Sequence, residues 1–165
     1  MNNRIRTIAA ALALTVLPTM SAYAAGGNGM TWAKYSHDAA YGIDKVGCAG
    51  CNAYTGDTSC AVSLPVLCIR NDGSPRPPYV ASPSDFYDGW SQGHITHTLP
   101  VRGSTLTTVT TGDQLCAAYF GTGWRMAQHH DNLSGGWGFR AFGNVRNDTR
   151  YWVKIRDQPA NCWNP

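Results

Sequence analysis

Apolar and polar residues alternate from His94 to Val101, placing Ile95, His97 and Leu99 on one face and His94, Thr96 and Thr98 on the other, which predicts a strand. Two more alternating runs lie near the C-terminus. In the first, Trp137, Phe139, Ala141 and Val145 share a side; in the second, Tyr151, Val153 and Ile155 do. Joined through the turn-forming residues 146–149, the two runs predict a hairpin with a common core face. Its opposite face would carry Arg140, Phe142, Trp152, Lys154 and Arg156, flat rings mixed with cations. Between these regions the period changes: Leu115, Ala118 and Tyr119 recur at helical spacing, Thr111 and Gln114 stand in capping-box register, and Gly121 falls where a left-handed stop is needed. A helix over about 112–120 follows.

The N-terminal half is less periodic. Residues 25–47 scatter Trp32, Tyr35, Tyr41 and Ile43 among polar positions and read as a loose or edge-packed segment. From 47 to 79, four cysteines, Gly50, Gly56, Gly73 and four prolines leave room for one short strand near Leu64 to Ile69. The expected fold class is α+β: a small disulfide-stapled domain of mostly antiparallel strands with one helix. Residues 25–165 form a single domain, a Cys-rich loop module over 25–80 and a helix-plus-hairpin core over 81–165.

Arg4 and Arg6, an apolar run from Ile8 to Leu17, and the small-residue register of Ala22-Tyr23-Ala24 predict a signal peptide cut after Ala24. The mature chain is then secreted or periplasmic. The apolar run is well short of the roughly 20 residues a spanning helix needs, and no later stretch is longer, so no membrane span is expected after signal removal. Losing Arg4 and Arg6 from 13 basic residues leaves near balance against 10 acidic ones, and no nucleic-acid partner is expected. Every acidic residue is Asp, which excludes any mechanism that requires Glu. No cofactor is implied.

Cys48, Cys51, Cys60, Cys68, Cys116 and Cys162 all fall in the exported part, and an even count in an oxidising compartment predicts three disulfides. Spacing groups the first four among themselves and joins Cys116 to Cys162. Cys48 and Cys51 also form a Cys-x-x-Cys pair, but no apolar strand leads into it and two further cysteines crowd it, so it reads as a staple. Uneven spacing disfavours zinc.

His94 and His97 on one strand, with His129, His130 and Asp131 after the helix, are the candidate metal ligands or acid–base groups, Arg125 serving as an anion stabiliser in a small secreted hydrolase. No confident metal set emerges, and nucleophile elbows, phosphate loops and zinc-protease signatures are missing. Trp and Tyr expose an apolar face and a polar tip, so they stack on sugar rings and anchor interfaces. Ligand binding is therefore assigned to Trp152, Arg140, Phe142, Lys154 and Arg156, with glycans or cell-surface components as partners. A structural component of an envelope or extracellular assembly is the third alternative.

A capped helix with an inward cysteine, a short Gly-Trp-Arg-Met-Ala run (123–127) and a hairpin ending in Gln158-Pro159, Asn161 and Cys162 resembles a C-type-lectin-like domain over residues 105–163. In that family a helix cysteine bonds one near the chain's end, which implies Cys116 with Cys162. The lack of Glu removes the usual calcium ligands, so calcium-dependent sugar binding is not carried over. The resemblance implies a mixed frame with a loop-borne ligand surface.

Overall fold

The computed structural model describes residues 27–80, 85–132 and 134–164; the expected signal peptide lies outside them. In chain order the strands are β1 (Asn28–Gly29), β2 (Thr31–Asp38), β3 (Ile43–Gly47), β4 (Thr58–Ser59), β5 (Ser63–Leu64), β6 (Leu67–Asn71), β7 (Gly89–His97) and β8 (Val101–Arg102). Helix α1 (Thr111–Phe120) follows, then β9 (Arg125–Met126), β10 (Gly138–Phe142) and β11 (Arg150–Trp152). Seven of them form one sheet in the order β11-β2-β3-β10-β7-β6-β9, every neighbouring pair antiparallel except β10 with β7.

The sheet curls until its ends meet. Beyond β11 the chain runs along the far end: Val66 bridges Trp152 and Gln128 bridges Lys154. Trp152 N donates to Pro65 O at 2.9 Å, Lys154 N to Ala127 O at 3.0 Å, and His129 N to Lys154 O at 2.8 Å. Closure pairs backbone groups that an open edge would offer to another chain.

Inside the curl lie Trp32, Val46, Leu67, Ile69, Phe139, Tyr151, Val153 and Ile155. A second apolar layer fills the outer side between sheet and helix, where Val66, Cys68, Met126 and Trp152 meet Cys116 of α1. Alternation assigns the residues: Leu67 and Ile69 point inward, and Cys68 between them points out to bond Cys116. Gly112 lets the helix lie directly on β9, because a Cβ there would sit 2.3 Å from Met126 Sδ. Gly121 ends the helix where expected, at φ 96° and ψ 178°, a positive-φ conformation outside the expected left-handed helical region. The expected capping box does not form, since Thr111 is already the first helical residue and Thr110 makes no side-chain cap bond. Tyr119 is 47% exposed rather than packed.

Several expectations are corrected. The C-terminal runs do not form a hairpin: β10 pairs with β3 and β7, and β11 pairs with β2. Their inward residues are nevertheless buried, Trp137 partly. The expected loose segment is instead ordered over its described residues 27–47, which supply β2 and β3 near the middle of the sheet, where the apolar period is broken by a bulge between Lys34 and Ser36 and by charged side chains that pair with one another. Strands from both halves of the chain therefore interleave in one sheet.

The disulfides are Cys48–Cys51, Cys60–Cys162 and Cys68–Cys116. Cys116 does not bond Cys162, because it faces the outward-pointing Cys68 of β6 in the layer under the helix. Gly29 and Gly103 make room for the tail cysteine and the Trp152 ring: an added Cβ would come within 2.8 Å and 2.6 Å of Cys162 Sγ. Among the described residues no helix is long and apolar enough to cross a membrane.

Lys154, 0% exposed, places its ammonium on Asp113 in the first turn of α1. Burial pushes its pKa down, opposed by the Asp113 carboxylate. Removing the carboxylate would strand a buried cation, so Asp113→Ala should cost about 3–5 kcal/mol in urea unfolding, whereas Lys154→Met should cost far less. Non-reducing peptide mapping should recover a Cys60–Cys162 cross-link, and replacing both by Ser should cost about 4.7 kcal/mol, the loop-entropy value for a bridge spanning 102 residues.

Candidate functional site

The segment after β9 is shaped by Arg125 and Asp131. Arg125 Nη1 and Nη2 donate to the two Asp131 oxygens at 3.0 and 2.6 Å, Nη2 also reaches Asn71 Oδ1, and Asp131 accepts Gln128 N at 2.6 Å. Both residues are engaged in folding the turn, which buries His129 and leaves His130 at the rim, their rings in edge contact at 4.7 Å between centroids.

His129 is 1% exposed, its ring 5.6 Å from Trp32 and 5.0 Å from Trp137 between centroids. Neither ring nitrogen has a hydrogen-bond partner among the described residues. Desolvation, helped by the neighbouring His130, pushes its pKa down from 6.5 to about 4. The imidazole is therefore neutral near pH 7, one nitrogen a donor and the other an acceptor. An unpartnered buried polar group costs about 1–3 kcal/mol, a cost the fold carries elsewhere.

This ring lies at the inner end of a cleft of about 80 Å³ lined by Ala53, Tyr54, His129, His130, Trp137, Ile155, Asp157 and Gln158. His130 Nδ1 bonds Gly135 O, and its Nε2 stands 3.4 Å from Asp157 Oδ2. The tail wall is fixed by Asn161, whose amide exchanges two 2.9 Å bonds with the Ile155 backbone. Whole small-molecule sites occupy roughly 300 Å³ or more, so this cleft takes a protruding group rather than an entire ligand.

Aromatic rings continue the surface from the cleft. Trp137 N bonds Phe86 O, the Phe86 ring lies 6.2 Å from Trp137, and Tyr87 lies 5.0 Å from Phe86. Tyr54, Phe86 and Tyr87 are 57%, 43% and 58% exposed. Buried Asn132 holds this strap by donating to Asp85 O, Phe86 O and Gly138 O. Gly136 is required, since a Cβ would lie 1.7 Å from Phe86 O. The Gly-Gly-Trp-Gly run at 135–138 was the available sequence signal for this platform.

The aromatic and basic face expected on the C-terminal runs is not a surface. Trp152 and Lys154 are 1% and 0% exposed, because the side opposite the core is covered by α1 and the tail. Arg140 donates to Asp88, which also holds Lys45; Phe142 packs edge-on against Trp90; of the five, only Arg156 is exposed. Beyond the contact between His129 and His130, the histidines do not converge. His94 pairs with Asp72 at 2.8 Å, His97 packs on Tyr151, and among the described residues no three His, Cys, Asp or Glu side chains are placed to hold a metal.

Comparison of the chain with protein-family models, with curated proteins and with solved structures finds no match. The site's chemistry therefore carries the functional reading.

Between pH 6.5 and about 4 the unfolded chain binds a proton that folded His129 refuses, so this group's contribution to stability is complete above 6.5 and declines as pH falls through that window. The decline should approach roughly 3 kcal/mol at about 1.4 kcal/mol per unit. Urea unfolding at pH 4 to 7 should show it in the native protein, and His129→Leu should flatten that part of the profile.

Proposed function

We propose that the protein is a secreted or periplasmic binding module that recognises carbohydrate through the His129 cleft and the aromatic surface beside it. The observation that carries this reading is the buried, neutral, unpartnered imidazole lining a cleft that Tyr54 and Trp137 also wall. A neutral imidazole can donate to one hydroxyl and accept from another, the pattern a polyhydroxylated ligand offers. Asp157 and Gln158 at the same cleft add an acceptor and an amide. Indole and phenol rings supply the flat apolar faces on which the C–H side of a sugar ring packs. The cleft volume suits a hydroxyl-bearing arm, with the ring itself resting outside on the aromatics.

Export is supported by three disulfides and by the leader read at the N-terminus. A small α+β frame with a loop-borne ligand surface is also what the C-type-lectin-like resemblance implies, although here the surface would stand on the 85–88 and 129–137 segments. The ligand residues originally assigned to the C-terminal runs are replaced by Tyr54, Phe86, Tyr87, His129 and Trp137.

A glycan array probed with the mature, disulfide-bonded protein tests the reading. Trp137→Ala and His129→Leu should each weaken binding to the recognised glycan roughly tenfold or more, in line with loss of a central contact, while Arg156→Ala leaves it unchanged. Absence of binding to any glycan, or binding indifferent to Trp137 and His129, refutes it.

A further inference from the structure

The β2–β3 hairpin holds a second constellation, independent of the carbohydrate reading. Its register sets His37 opposite Asp44. Asp44 is 0% exposed; its Oδ1 lies 2.7 Å from Lys34 Nζ and 2.7 Å from His37 Nδ1, and its Oδ2 accepts Val145 N at 2.6 Å. A buried carboxylate so held accepts from its partners, so His37 Nδ1 carries a proton, and in the uncharged form of the ring the lone pair is on Nε2.

Nε2 makes no hydrogen bond among the described residues. The His37 side chain is 24% exposed, and with Lys34, Tyr35, Ser36, Asn144 and Arg146 it lines a cleft of about 460 Å³. That volume lies within the roughly 300–1,000 Å³ of small-molecule sites. Lys34 is fully engaged, donating to Asn144 Oδ1 at 3.1 Å and Val145 O at 2.7 Å besides Asp44. Because Asn144 turns its oxygen to Lys34, its Nδ2 is a donor at the cleft with no partner among the described residues.

An imidazole fixed by a buried carboxylate, with its other nitrogen at a substrate-sized cleft beside an uncommitted amide donor, meets the geometric requirements of a general base. We propose that this cleft hydrolyses carboxylic esters, with His37 as the general base and Asp44 as its positioning residue. His37 Nε2 removes a proton from water as the water oxygen bonds to the acyl carbon, and the carbonyl electron pair moves onto oxygen, where Asn144 Nδ2 can donate to it. Collapse re-forms the carbonyl and breaks the bond to the alcohol oxygen. That oxygen takes the proton from Nε2, leaving a carboxylic acid, an alcohol and the starting imidazole, with one water consumed.

His94 supplies the internal control: its Nδ1 contacts Asp72 at 2.8 Å, but the Asp72 and His94 side chains are 27% and 40% exposed, against 0% and 24% for Asp44 and His37. The test is p-nitrophenyl acetate hydrolysis by the mature, disulfide-bonded protein. The expected result is saturable hydrolysis with a solvent deuterium isotope effect, in which His37→Gln lowers kcat roughly a hundredfold with KM little changed and His94→Gln changes neither. Asp44→Asn should lower kcat without raising KM; should that variant fail to fold, His37→Gln decides, since its partly exposed ring can be replaced with the unfolding midpoint checked. A rate linear in substrate without saturation, a rate retained in His37→Gln, or an equal loss in His94→Gln overturns the proposal.

Discussion

The backbone from Tyr151 to Lys154 is shared between the two ends of one sheet. On one side β11 pairs with β2; on the other, Trp152 and Lys154 bond residues 65, 127 and 129. Closing a sheet in this way removes edges and encloses an apolar interior, and here the Trp152 ring and Lys154 stem on the outer face of the closing strand require burial as well. Tyr151, Val153 and Ile155 meet the inner core, while Trp152 and Lys154 meet the layer under α1 and the tail. The helix, the Cys68–Cys116 bond and the Cys60–Cys162 bond all serve that second requirement. They hold a cover over a face that would otherwise expose a tryptophan and a lysine stem.

His129 owes its environment to the same closure. Its backbone N–H bonds Lys154 O, so the residue belongs to the seam, and its side chain is carried inward between Trp32 and Trp137. The Arg125–Asp131 pair, which as residue types suggested catalysis, instead supplies the turn that makes this inward placement possible. An ion pair can shape a loop because each charge satisfies several donors or acceptors at fixed angles. Here Asp131 accepts from a guanidinium and from a backbone N–H at once.

Alternation in the sequence correctly divided Tyr151, Val153 and Ile155 from Trp152 and Lys154, and helical spacing with Gly121 correctly bounded α1 near its C-terminus. What alternation cannot report is whether the second face is covered, because that depends on which distant segment lies over it. Trp152 and Lys154 were therefore read as a binding surface. The disulfide partners were illegible for the same reason: Cys60 meets Cys162 across 102 residues through a tail path that spacing does not encode. Strands β2 and β3 were missed because part of their length is filled by Lys34, His37 and Asp44, whose mutual pairing substitutes for apolar periodicity. Of the candidate site, His129 and His130 stand out in the sequence by residue type, whereas alternation assigns Trp137 to the core face. Tyr54, Phe86, Asp157 and Gln158 join them only once the chain is folded.

His129 and His37 show how surroundings divide one residue type between two chemistries. His129 is enclosed by aromatic rings with no carboxylate bonded to it, so desolvation dominates and keeps the ring uncharged and unpaired, the state suited to exchanging hydrogen bonds with neutral hydroxyls. His37 has a buried carboxylate 2.7 Å from Nδ1, which fixes the tautomer and can stabilise the cation formed when Nε2 takes a proton. A ring that should remain neutral requires isolation, and a ring that should cycle through its cation requires a fixed counter-charge. The fold provides the first at its seam and the second in a hairpin, and the bulge between Lys34 and Ser36 lies beside that second histidine on the same strand. Bulges of this kind re-aim side chains out of the regular alternation, which is why strict strand periodicity concealed the Lys34–Asp44–His37 group.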